Sequence, residues 1–334
     1  MILRVLVVDD SAFARKVVRE VLAVDGIEVV GTARDGLDAL EKIELLAPVV
    51  VWLDLMMPHL DGLGLLLALQ GRPNPPRVVV VSTASDDSDT VVAALQAGAV
   101  LSVHKPTALA TDRLYEMGRD LVEAVRRAGA ARVPPVATPA APAPVPAGAG
   151  GVRLVVVGAS TGGPQALTGL IEALPGDFPV PICIVLHMPV GYTEAFARRM
   201  NEASALEVVE AAEGTALRPG RVVIARAGLH LTVEGDAVRL DALPLELPHR
   251  PAVDVLFASA ARWGAPSVLG VVLTGMGNDG LEGSRAIVAG GGRVITQSAR
   301  TCVVYGMPRS VAEAGLSEAE VDLPAMPEAI LRRL

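Results

Sequence analysis

The N-terminal part of the chain alternates short apolar runs with longer segments in which apolar positions recur at helical spacing. An apolar run of strand length followed by a helix-length segment is typical of a βα unit. The strand candidates are RVLVVDD, IEVVGTA, PVVVWLDL, RVVVVST and AVLSVHKP, separated by helix candidates such as SAFARKVVREVLA, GLDALEKIELLA and DTVVAALQAG. Strands that are apolar throughout are covered on both faces. The pattern therefore predicts an α/β fold with a doubly wound, five-stranded parallel sheet.

A second series of the same kind begins after a break in the pattern. The segment ARVPPVATPAAPAPVPAGAGG alternates proline with alanine, has no periodic apolar face, and is typical of an extended linker. Apolar strand candidates resume directly after it as VRLVVVGAS, VPICIVLHM, SVLGVVLTG and GGRVITQS. Between them, RVVIARAGLHLTVEGDAVRLDALP predicts short antiparallel hairpins with a turn at EGD. We therefore expect one domain over residues 1–127, a Pro/Ala-rich linker over 128–150, and an α/β domain over 151–334 with a mostly parallel sheet plus an antiparallel hairpin.

Composition changes this picture by excluding several classes of protein. The chain has 334 residues and a formal net charge of −8, which argues against a nucleic-acid partner held mainly by electrostatics. Its two cysteines, Cys183 and Cys302, cannot make a disulfide framework and are expected to be small buried hydrophobes. The apolar N-terminal run lacks the features of a signal peptide, and no segment approaches the roughly 18 apolar residues of a membrane span. We expect a cytoplasmic protein that is not inserted in a membrane.

Polar side chains follow four of the predicted strands in the first domain. Asp9 and Asp10 come after the first strand, Asp54 after the third, Ser82 after the fourth and Lys105 after the fifth. The carboxyl ends of these strands form one edge, where ligands of doubly wound sheets bind. Converging carboxylates repel one another unless a cation is present, and hard oxygen ligands suit Mg²⁺. Each acid alone could be a helix cap, but their recurrence at successive strand ends favours a ligand site.

The motifs LVVDDS, LDLMMPHLDGLGLL and VHKP resemble those of response-regulator receiver domains, which have the flavodoxin-like fold. The resemblance covers roughly residues 2–127. It implies that Asp54 accepts a phosphoryl group from a histidine kinase. It also implies that Asp9 and Asp10, together with Asp54 and the backbone carbonyl of Met56, hold the Mg²⁺ that this phosphorylation requires.

The same resemblance assigns two further residues and shows one departure. By the receiver pattern, Ser82 and Lys105 sense the phosphoryl group, the first by a hydrogen bond and the second by its charge. Ser102 stands where many receivers carry an aromatic switch residue on the fifth strand. The usual aromatic rotamer signal is therefore expected to be absent or rerouted.

The stretch GASTGGP, Gly158 to Pro164, directly follows the first strand of the second domain. It fits G-x-S-x-G, the pattern of a nucleophilic serine on a tight strand-to-helix turn, with Ser160 at the centre. A serine there lies near a helix N-terminus, where free N–H groups favour an oxyanion. A phosphate-binding loop is the weaker alternative, because the spacing fits neither a Walker loop nor G-x-G-x-x-G. A serine hydroxyl is a weak nucleophile alone, so Ser160 needs a base.

Position along the chain selects the partners of this serine. His187 ends an apolar strand and is expected at the same sheet edge, and Asp279 follows another strand in VVLTGMGNDG. Together with Ser160 they fit the Ser-His-Asp logic. An α/β-hydrolase triad runs serine, acid, histidine along the chain, so the order found here indicates a different hydrolase fold.

Two other histidines lie in the second domain. His230 falls in the hairpin region, and we interpret it as structural. His249 and Arg250 lie in the polar segment PHRPAVD, where they either line a substrate groove or belong to a solvated loop.

The motifs GASTGGP, LHMP, HRPAVDVLF, LTGMGNDG and VVYGMP, in this order, closely resemble the effector domain of the CheB family of chemotaxis protein-glutamate methylesterases/protein-glutamine glutaminases. The resemblance runs from about Arg153 to the C-terminus, and the receiver–linker–effector order matches the whole family pattern. It implies a phosphorylation-regulated hydrolase that acts on methyl-accepting chemotaxis receptors. Such an enzyme demethylates glutamate methyl esters with release of methanol and deamidates glutamines, without a cofactor for the ester chemistry.

Carried over onto this sequence, the family pattern gives each residue a role. Ser160 attacks the γ-carbonyl of the methylated glutamate, His187 takes the serine proton and delivers it to methanol, and Asp279 stabilises the charged imidazole. The Met276 N–H is the oxyanion donor, with Thr161 assisting.

Three residues depart from the family pattern without touching the triad. Ala252 stands where serine is usual, Arg226 where proline is usual, and Ser298 where an acid is common. They bear on substrate preference rather than on the chemistry. Two other functions stay open: a receiver-regulated adaptor without catalysis, and a hydrolase of some other ester, because a fold and a triad do not define a substrate.

Overall fold

The computed structural model describes residues 2–82, 88–104, 111–132 and 151–334. The chain divides near residue 133 into two compact units. Lys105 and residues 133–150 of the predicted linker lie outside the described residues. The helix preceding the linker continues to Ala130, three residues beyond the predicted domain end at 127.

The first unit is a parallel five-stranded sheet covered by helices, as the sequence predicts. Its strands are Leu3–Val8 (β1), Ile27–Ala33 (β2), Val50–Asp54 (β3), Arg77–Ser82 (β4) and Leu101–His104 (β5). Its helices are Ala12–Val21 (α1), Gly36–Leu46 (α2), Gly62–Leu69 (α3), Ser88–Gln96 (α4) and Thr111–Ala130 (α5). The strand order is β2-β1-β3-β4-β5. The chain therefore adds β2 on one side of β1 and the later strands on the other side, with the switch point between β1 and β3.

The strand sequences explain this layering. Residues 50–53 in β3 and 78–81 in β4 are buried almost completely, because the central strands have helices on both faces. The first three helices begin at residues whose side chains accept a backbone N–H, namely Ser11, Asp35 and Asp61. Strands β1, β2 and β3 are thus each followed by a loop that ends in a side-chain cap, and the loops after β1 and β3 are neighbours.

The second unit is a larger sheet of the same kind with a separate hairpin. Its strands are Leu154–Ala159 (β6), Ile182–Leu186 (β7), Glu207–Glu210 (β8), Arg221–Ile224 (β9), His230–Glu234 (β10), Ala237–Asp241 (β11), Val268–Val272 (β12), Arg293–Gln297 (β13) and Ala319–Val321 (β14). Its helices are Gly163–Glu172 (α6), Thr193–Ala203 (α7), Val253–Gly264 (α8), Leu281–Ala289 (α9), Met307–Glu313 (α10) and Met326–Leu331 (α11).

The predicted hairpin region is only partly a hairpin. Strands β10 and β11 pair in antiparallel fashion around a turn at Gly235, as the EGD motif predicts. The preceding segment RVVI is instead β9, which lies in the main sheet parallel to β7 and β8. Its three buried apolar residues explain this, because a two-stranded hairpin could not cover them on both faces.

The topology of the main sheet brings three loops together. The order β14-β13-β12-β6-β7-β9-β8 places β6 between β12 and β7, all parallel. The order of the strands reverses at β6, and such switch points form the ligand crevice of open α/β sheets. Ser160 follows β6, His187 follows β7, and Asp279 lies in the loop after β12. Among the described residues, no helix is both long and apolar enough to cross a membrane.

Candidate active site

Ser160 occupies the turn between β6 and α6. Its amide donates to the Thr274 carbonyl over 3.0 Å, and its carbonyl accepts from the Gly163 amide at 2.7 Å. The turn needs glycine at Gly162, where φ is +77° and a Cβ would lie 2.6 Å from Val303. The serine is 8% exposed, so it is largely shielded from bulk water.

His187 is held beside this turn by the sheet. Its backbone N–H donates to the carbonyl of Ala159, the residue before Ser160, at 3.1 Å. The side chain is 9% exposed, and its Nε2 lies 2.8 Å from Oδ2 of Asp279. The structure thus joins the predicted base and the predicted acid directly.

The ring nitrogens of His187 have different surroundings. Nε2 faces the Asp279 carboxylate, which can only accept, so the neutral ring carries its proton on Nε2 and its lone pair on Nδ1. Nδ1 is buried and has no hydrogen-bond partner within the described part of the chain. In the usual triad the acid binds Nδ1 and the base is Nε2. Here the acid meets Nε2 instead, which leaves Nδ1 as the ring nitrogen that can accept a proton.

Asp279 is bound on both of its oxygens. Oδ2 accepts from the amide of Val253 as well as from His187, and Oδ1 accepts from the amide of Asp254, each at 2.8 Å. Burial raises the pKa of Asp279, but the hydrogen bonds from His187 and from these two amides outweigh it and lower the pKa overall. The carboxylate therefore stays charged beside the imidazole at neutral pH.

The loop with the predicted oxyanion donor packs directly against Ser160. A Cβ on Gly275 would lie 2.8 Å from Cβ of Ser160, so only glycine allows the approach. The Gly275 amide donates to the Val304 carbonyl at 3.0 Å, which holds the loop in place. The next residue, Met276, is 44% exposed, and its amide has no acceptor among the described residues. Met276 is thus placed beside the turn with a free N–H.

Thr161 is buried next to the nucleophile position. Its carbonyl accepts a 3.0 Å hydrogen bond from Oγ1 of Thr274, which ties the serine turn to the Met276 loop. An oxyanion role for Thr161 stays a prediction.

The two further histidines have different positions. The ring of His249 stacks on that of His187, with centroids 4.0 Å apart and planes inclined by 23°. His230 is fully buried, and its Nδ1 accepts from the amide of Ala252 at 3.2 Å while Nε2 lies 3.1 Å from the carbonyl of Pro244. His230 therefore supports the backbone, and His249 belongs to the site, a point that the sequence left open.

The first unit gathers the predicted acids at one edge of its sheet. Asp9, Asp10 and Asp54 place carboxylate oxygens within 4.8 Å of one another. Asp9 and Asp54 are buried and Asp10 is exposed, which leaves one open side. Three grouped carboxylates form an oxygen donor set that fits Mg²⁺.

Two of the other residues that the receiver pattern assigns lie in the described part of this unit. Ser82 is buried at the end of β4, the strand next to β3, and the amide of Met56 lies 3.5 Å from Oδ1 of Asp54. Lys105 is outside the described residues. The roles of all three stay predictions.

Comparison with known proteins assigns both units to known families. The family model for the CheB methylesterase matches residues 155–330, and the model for the response regulator receiver domain matches residues 5–117. The chain belongs to the CheB methylesterase family. It is 60% identical to "Protein-glutamate methylesterase/protein-glutamine glutaminase 5" of Myxococcus xanthus, over 99% of this chain and 97% of that protein.

Two further relatives extend this result. The chain is 41% identical to a protein-glutamate methylesterase/protein-glutamine glutaminase of Symbiobacterium thermophilum, over 99% of this chain and 96% of that protein. The chain also matches the crystal structure of the Thermotoga maritima CheB methylesterase catalytic domain, with 39% sequence identity and a TM-score of 0.52. The match covers 55% of this chain and 99% of that one.

The departures from the CheB pattern in the second unit have structural counterparts. Ala252 is the N-cap of α8 and supplies no side-chain cap; the carboxylate of Asp279 binds the first amides of that helix instead. Ser298 donates its hydroxyl hydrogen to Asp322, so an acid lies next to this position although none occupies it. Arg226 is exposed, 4.0 Å from Glu210. Ser102, the departure in the receiver, lies half-buried in β5.

The sequence interpretation missed one residue of the site. Asp254 donates its amide to Asp279, and its own carboxylate binds the turn that carries Asp279. It lies in the motif HRPAVDVLF, where an acid at the start of a helix-length apolar segment was a signal present in the sequence.

Proposed function

We propose that this chain hydrolyses the γ-methyl esters of glutamate side chains on chemotaxis receptors and converts receptor glutamines to glutamate. The observation that carries the proposal is the 2.8 Å pair of His187 and Asp279 beside the Ser160 turn, in a chain 60% identical to a methylesterase/glutaminase over almost its whole length. Because the proposed enzyme carries a receiver that depends on a histidine kinase, we propose that the protein works in the cytoplasm.

The first half of the proposed reaction forms an acyl-enzyme. Oγ of Ser160 attacks the ester carbonyl while Nδ1 of His187 accepts its proton. The charged imidazole is stabilised through Nε2 by Asp279. As the tetrahedral intermediate collapses, the C–O bond to the methoxy group breaks, and Nδ1 returns the proton so that methanol leaves.

The second half regenerates the serine. Water attacks the acyl carbonyl, Nδ1 of His187 takes a proton from it, and the bond to Ser160 breaks as that proton returns to Oγ. The amide of Met276, with Thr161 assisting, would donate to the oxyanion in both halves. A glutamine substrate follows the same route with ammonia as leaving group.

The first unit is proposed to supply regulation. Asp54 receives a phosphoryl group from a histidine kinase, and its carboxylate oxygen attacks phosphorus as the kinase histidine leaves. Asp9, Asp10 and Asp54, with the Met56 carbonyl, would hold a Mg²⁺ ion, which neutralises charge on the transferring group when bound. Ser82 and Lys105 would contact the phosphoryl oxygens. We infer that the unphosphorylated receiver restrains the esterase and that phosphorylation relieves this restraint.

Methanol release from methylated receptor tests the proposed activity. The full chain, with a small-molecule phosphodonor and Mg²⁺, is expected to release methanol from methylated receptor and ammonia from receptor carrying unmodified glutamine. Absence of both products, with the receiver demonstrably phosphorylated, would refute the proposal in favour of a non-catalytic adaptor or another ester substrate.

Replacing Asp54 with asparagine tests the regulatory part. Asparagine keeps the size of the side chain but cannot form an acyl phosphate, so phosphoryl incorporation from the kinase should be abolished. Methanol release should persist at its basal rate and no longer rise with phosphodonor. Asp61→Asn is the matched control, because the Asp61 side chain caps α3 by accepting from the Gly64 amide at 2.7 Å, and this variant should leave incorporation intact. Incorporation that survives in Asp54→Asn would exclude Asp54 as the acceptor.

The inhibitory role of the receiver has its own test. Removing residues 1–150 is expected to raise methanol release above that of the unphosphorylated full chain. An unchanged or lower rate would contradict the proposed restraint.

A further inference from the structure

The starts of α8 and α9 meet beside the candidate triad, and neither helix is capped by its own N-cap side chain. The N-cap positions are Ala252 and Gly280, and neither side chain accepts a backbone N–H. The first amides of a helix have no acceptor within it, so partners must come from elsewhere. Here they come from the opposite helix start.

Two carboxylates exchange these contacts. Asp279, just before α9, accepts from the amides of Val253 and Asp254 in the first turn of α8, both at 2.8 Å. Oδ1 of Asp254, in turn, accepts from the amides of Gly280 and Gly283 at the start of α9, at 3.0 and 2.7 Å. The two acids thus form a reciprocal clamp, defined here as Asp254, Asp279 and these four amides.

Close packing holds the clamp at a defined position against the sheet. A Cβ on Gly283 would lie 2.4 Å from Cβ of Phe257, so the two helices touch without intervening side chains. A Cβ on Gly158 would lie 2.4 Å from Cγ1 of Val253, so the first residue of α8 packs on β6 two residues before the nucleophile position. A shift of either helix start would therefore displace the end of β6, where the serine turn begins.

The charge of Asp254 also links the clamp to the imidazole of His187. The ionisable groups that face Asp254 in the described residues are Asp279 and, in the first turn of α9, Glu282 with its partner Arg285; His187 lies beyond Asp279. Burial raises the pKa of Asp254 to about 6, with the charges of Asp279 and Glu282 adding to the rise and the amides of Gly283 and Gly280 opposing it. When it is ionised, Asp254 adds a second negative charge near the imidazole. It does not touch the ring but binds Asp279, the carboxylate that does.

We propose that Asp254 is a positioning residue for the hydrolysis: it holds the turn that carries Asp279 and so orients that carboxylate against Nε2 of His187. The inference rests on the proposed triad. It assigns Asp254 no contact with substrate. Because a displacement of about 1 Å in a reacting group can cost about 100-fold in rate, the effect of losing the clamp should be large for a residue outside the triad.

Two substitutions at this position separate hydrogen bonding from charge. Asp254→Ala removes both acceptor contacts and is expected to lower kcat for methanol release by about 10- to 100-fold, with KM within about 2-fold of wild type. Asp254→Asn keeps an oxygen that can accept from Gly280 and Gly283, and should recover kcat to within about 3-fold. Because it removes a charge that favours the protonated imidazole, it should also move the acid limb of the kcat/KM profile to lower pH.

A matched control removes a comparable contact far from the site. Oδ1 of Asn201 accepts from the amide of Val208 at 2.9 Å near the other edge of the sheet, and Asn201→Ala should change kcat by less than about 2-fold. Ser160→Ala in the same assay tests the nucleophile separately, so a failure of the triad is distinguishable from a failure of the clamp.

Three outcomes would overturn the proposal. The first is an Asp254→Ala variant that is folded, by its unfolding midpoint, and has the wild-type kcat. The second is an Asp254→Asn variant as slow as the alanine variant, which would show that acceptance of the two amides is not what matters. If the alanine variant does not fold, an asparagine variant with an unmoved acid limb overturns the proposed coupling to the imidazole.

Discussion

Methanol release should fall by at least about 1,000-fold when Ser160 is replaced with alanine, because no other group takes over the covalent step. Loss of a nucleophile in a serine hydrolase costs up to about a million-fold in kcat, and what remains comes from binding and oxyanion stabilisation. Substrate binding should change little, since the lost oxygen is small and the turn is held by backbone contacts to Thr274 and Gly163. The measurement is kcat and KM for methanol release from methylated receptor.

The best control is a second buried serine in the same domain. Ser284 lies in α9, is fully buried, and its Oγ has no hydrogen-bond partner among the described residues. Ser284→Ala should leave methanol release within about 2-fold of wild type. Both variants should keep the wild-type unfolding midpoint of the second unit, which shows that the unit carrying Ser160 and Ser284 is folded. A Ser160→Ala enzyme with more than about a tenth of the wild-type rate would exclude Ser160 as the nucleophile.

Replacing Asp279 with asparagine is expected to lower kcat by about 10,000-fold, the size of effect known for the acid of a serine-protease triad. An asparagine amide facing Nε2 can donate to it and so favour the ring tautomer with its proton on Nδ1. That tautomer cannot accept the serine proton. The substitution also removes the charge that stabilises the imidazolium, and it replaces one acceptor for the start of α8 with a donor.

The pH profile separates this role from a titration of Asp279 itself. Burial raises the pKa of Asp279, but the hydrogen bonds from His187 and from the α8 amides lower it below its ordinary value of 3.8. The carboxylate is thus ionised throughout the working range, and its protonation should not contribute a limb above about pH 5. Glu282→Gln is the control, because Glu282 is an exposed acid paired with Arg285 and should change kcat by less than about 2-fold. Equal losses in both variants would indicate a general charge effect.

The elements that were predictable are those whose signal is local. The central strands of both sheets are apolar throughout and recur at βα spacing, so their identity, their parallel arrangement and the turn after β6 all followed from the pattern. The assignment of RVVI to the hairpin was wrong because this segment pairs in parallel with β7 and β8, which precede it in the chain, and not with the hairpin strand that follows it. Short edge strands such as β14 have no strong local pattern at all.

The candidate site divides in the same way. Ser160, His187 and Asp279 were selected because each follows a strand, and parallel strands bring their carboxyl ends to one edge. Which imidazole nitrogen meets Asp279, the stacking of His249, and the clamp through Asp254 depend on side-chain directions across elements distant in sequence. The hydrogen bond from Ser298 to Asp322 likewise joins residues far apart in the chain and could not be predicted from local pattern.

By itself, the sequence of this CheB-family protein determined two α/β units and the acids at one sheet edge, and it selected the three positions of the proposed triad at another. Hydrophobic periodicity and strand-end chemistry are properties of short segments, and they survive without knowledge of the fold. Only the tertiary structure decided that Nδ1 of His187 has no hydrogen-bond partner among the residues described, and that Asp254 and Asp279 cap each other's helices. The physical reason is that a hydrogen bond requires atoms within about 3 Å, and which atoms meet at that distance is decided by packing between segments far apart in the chain.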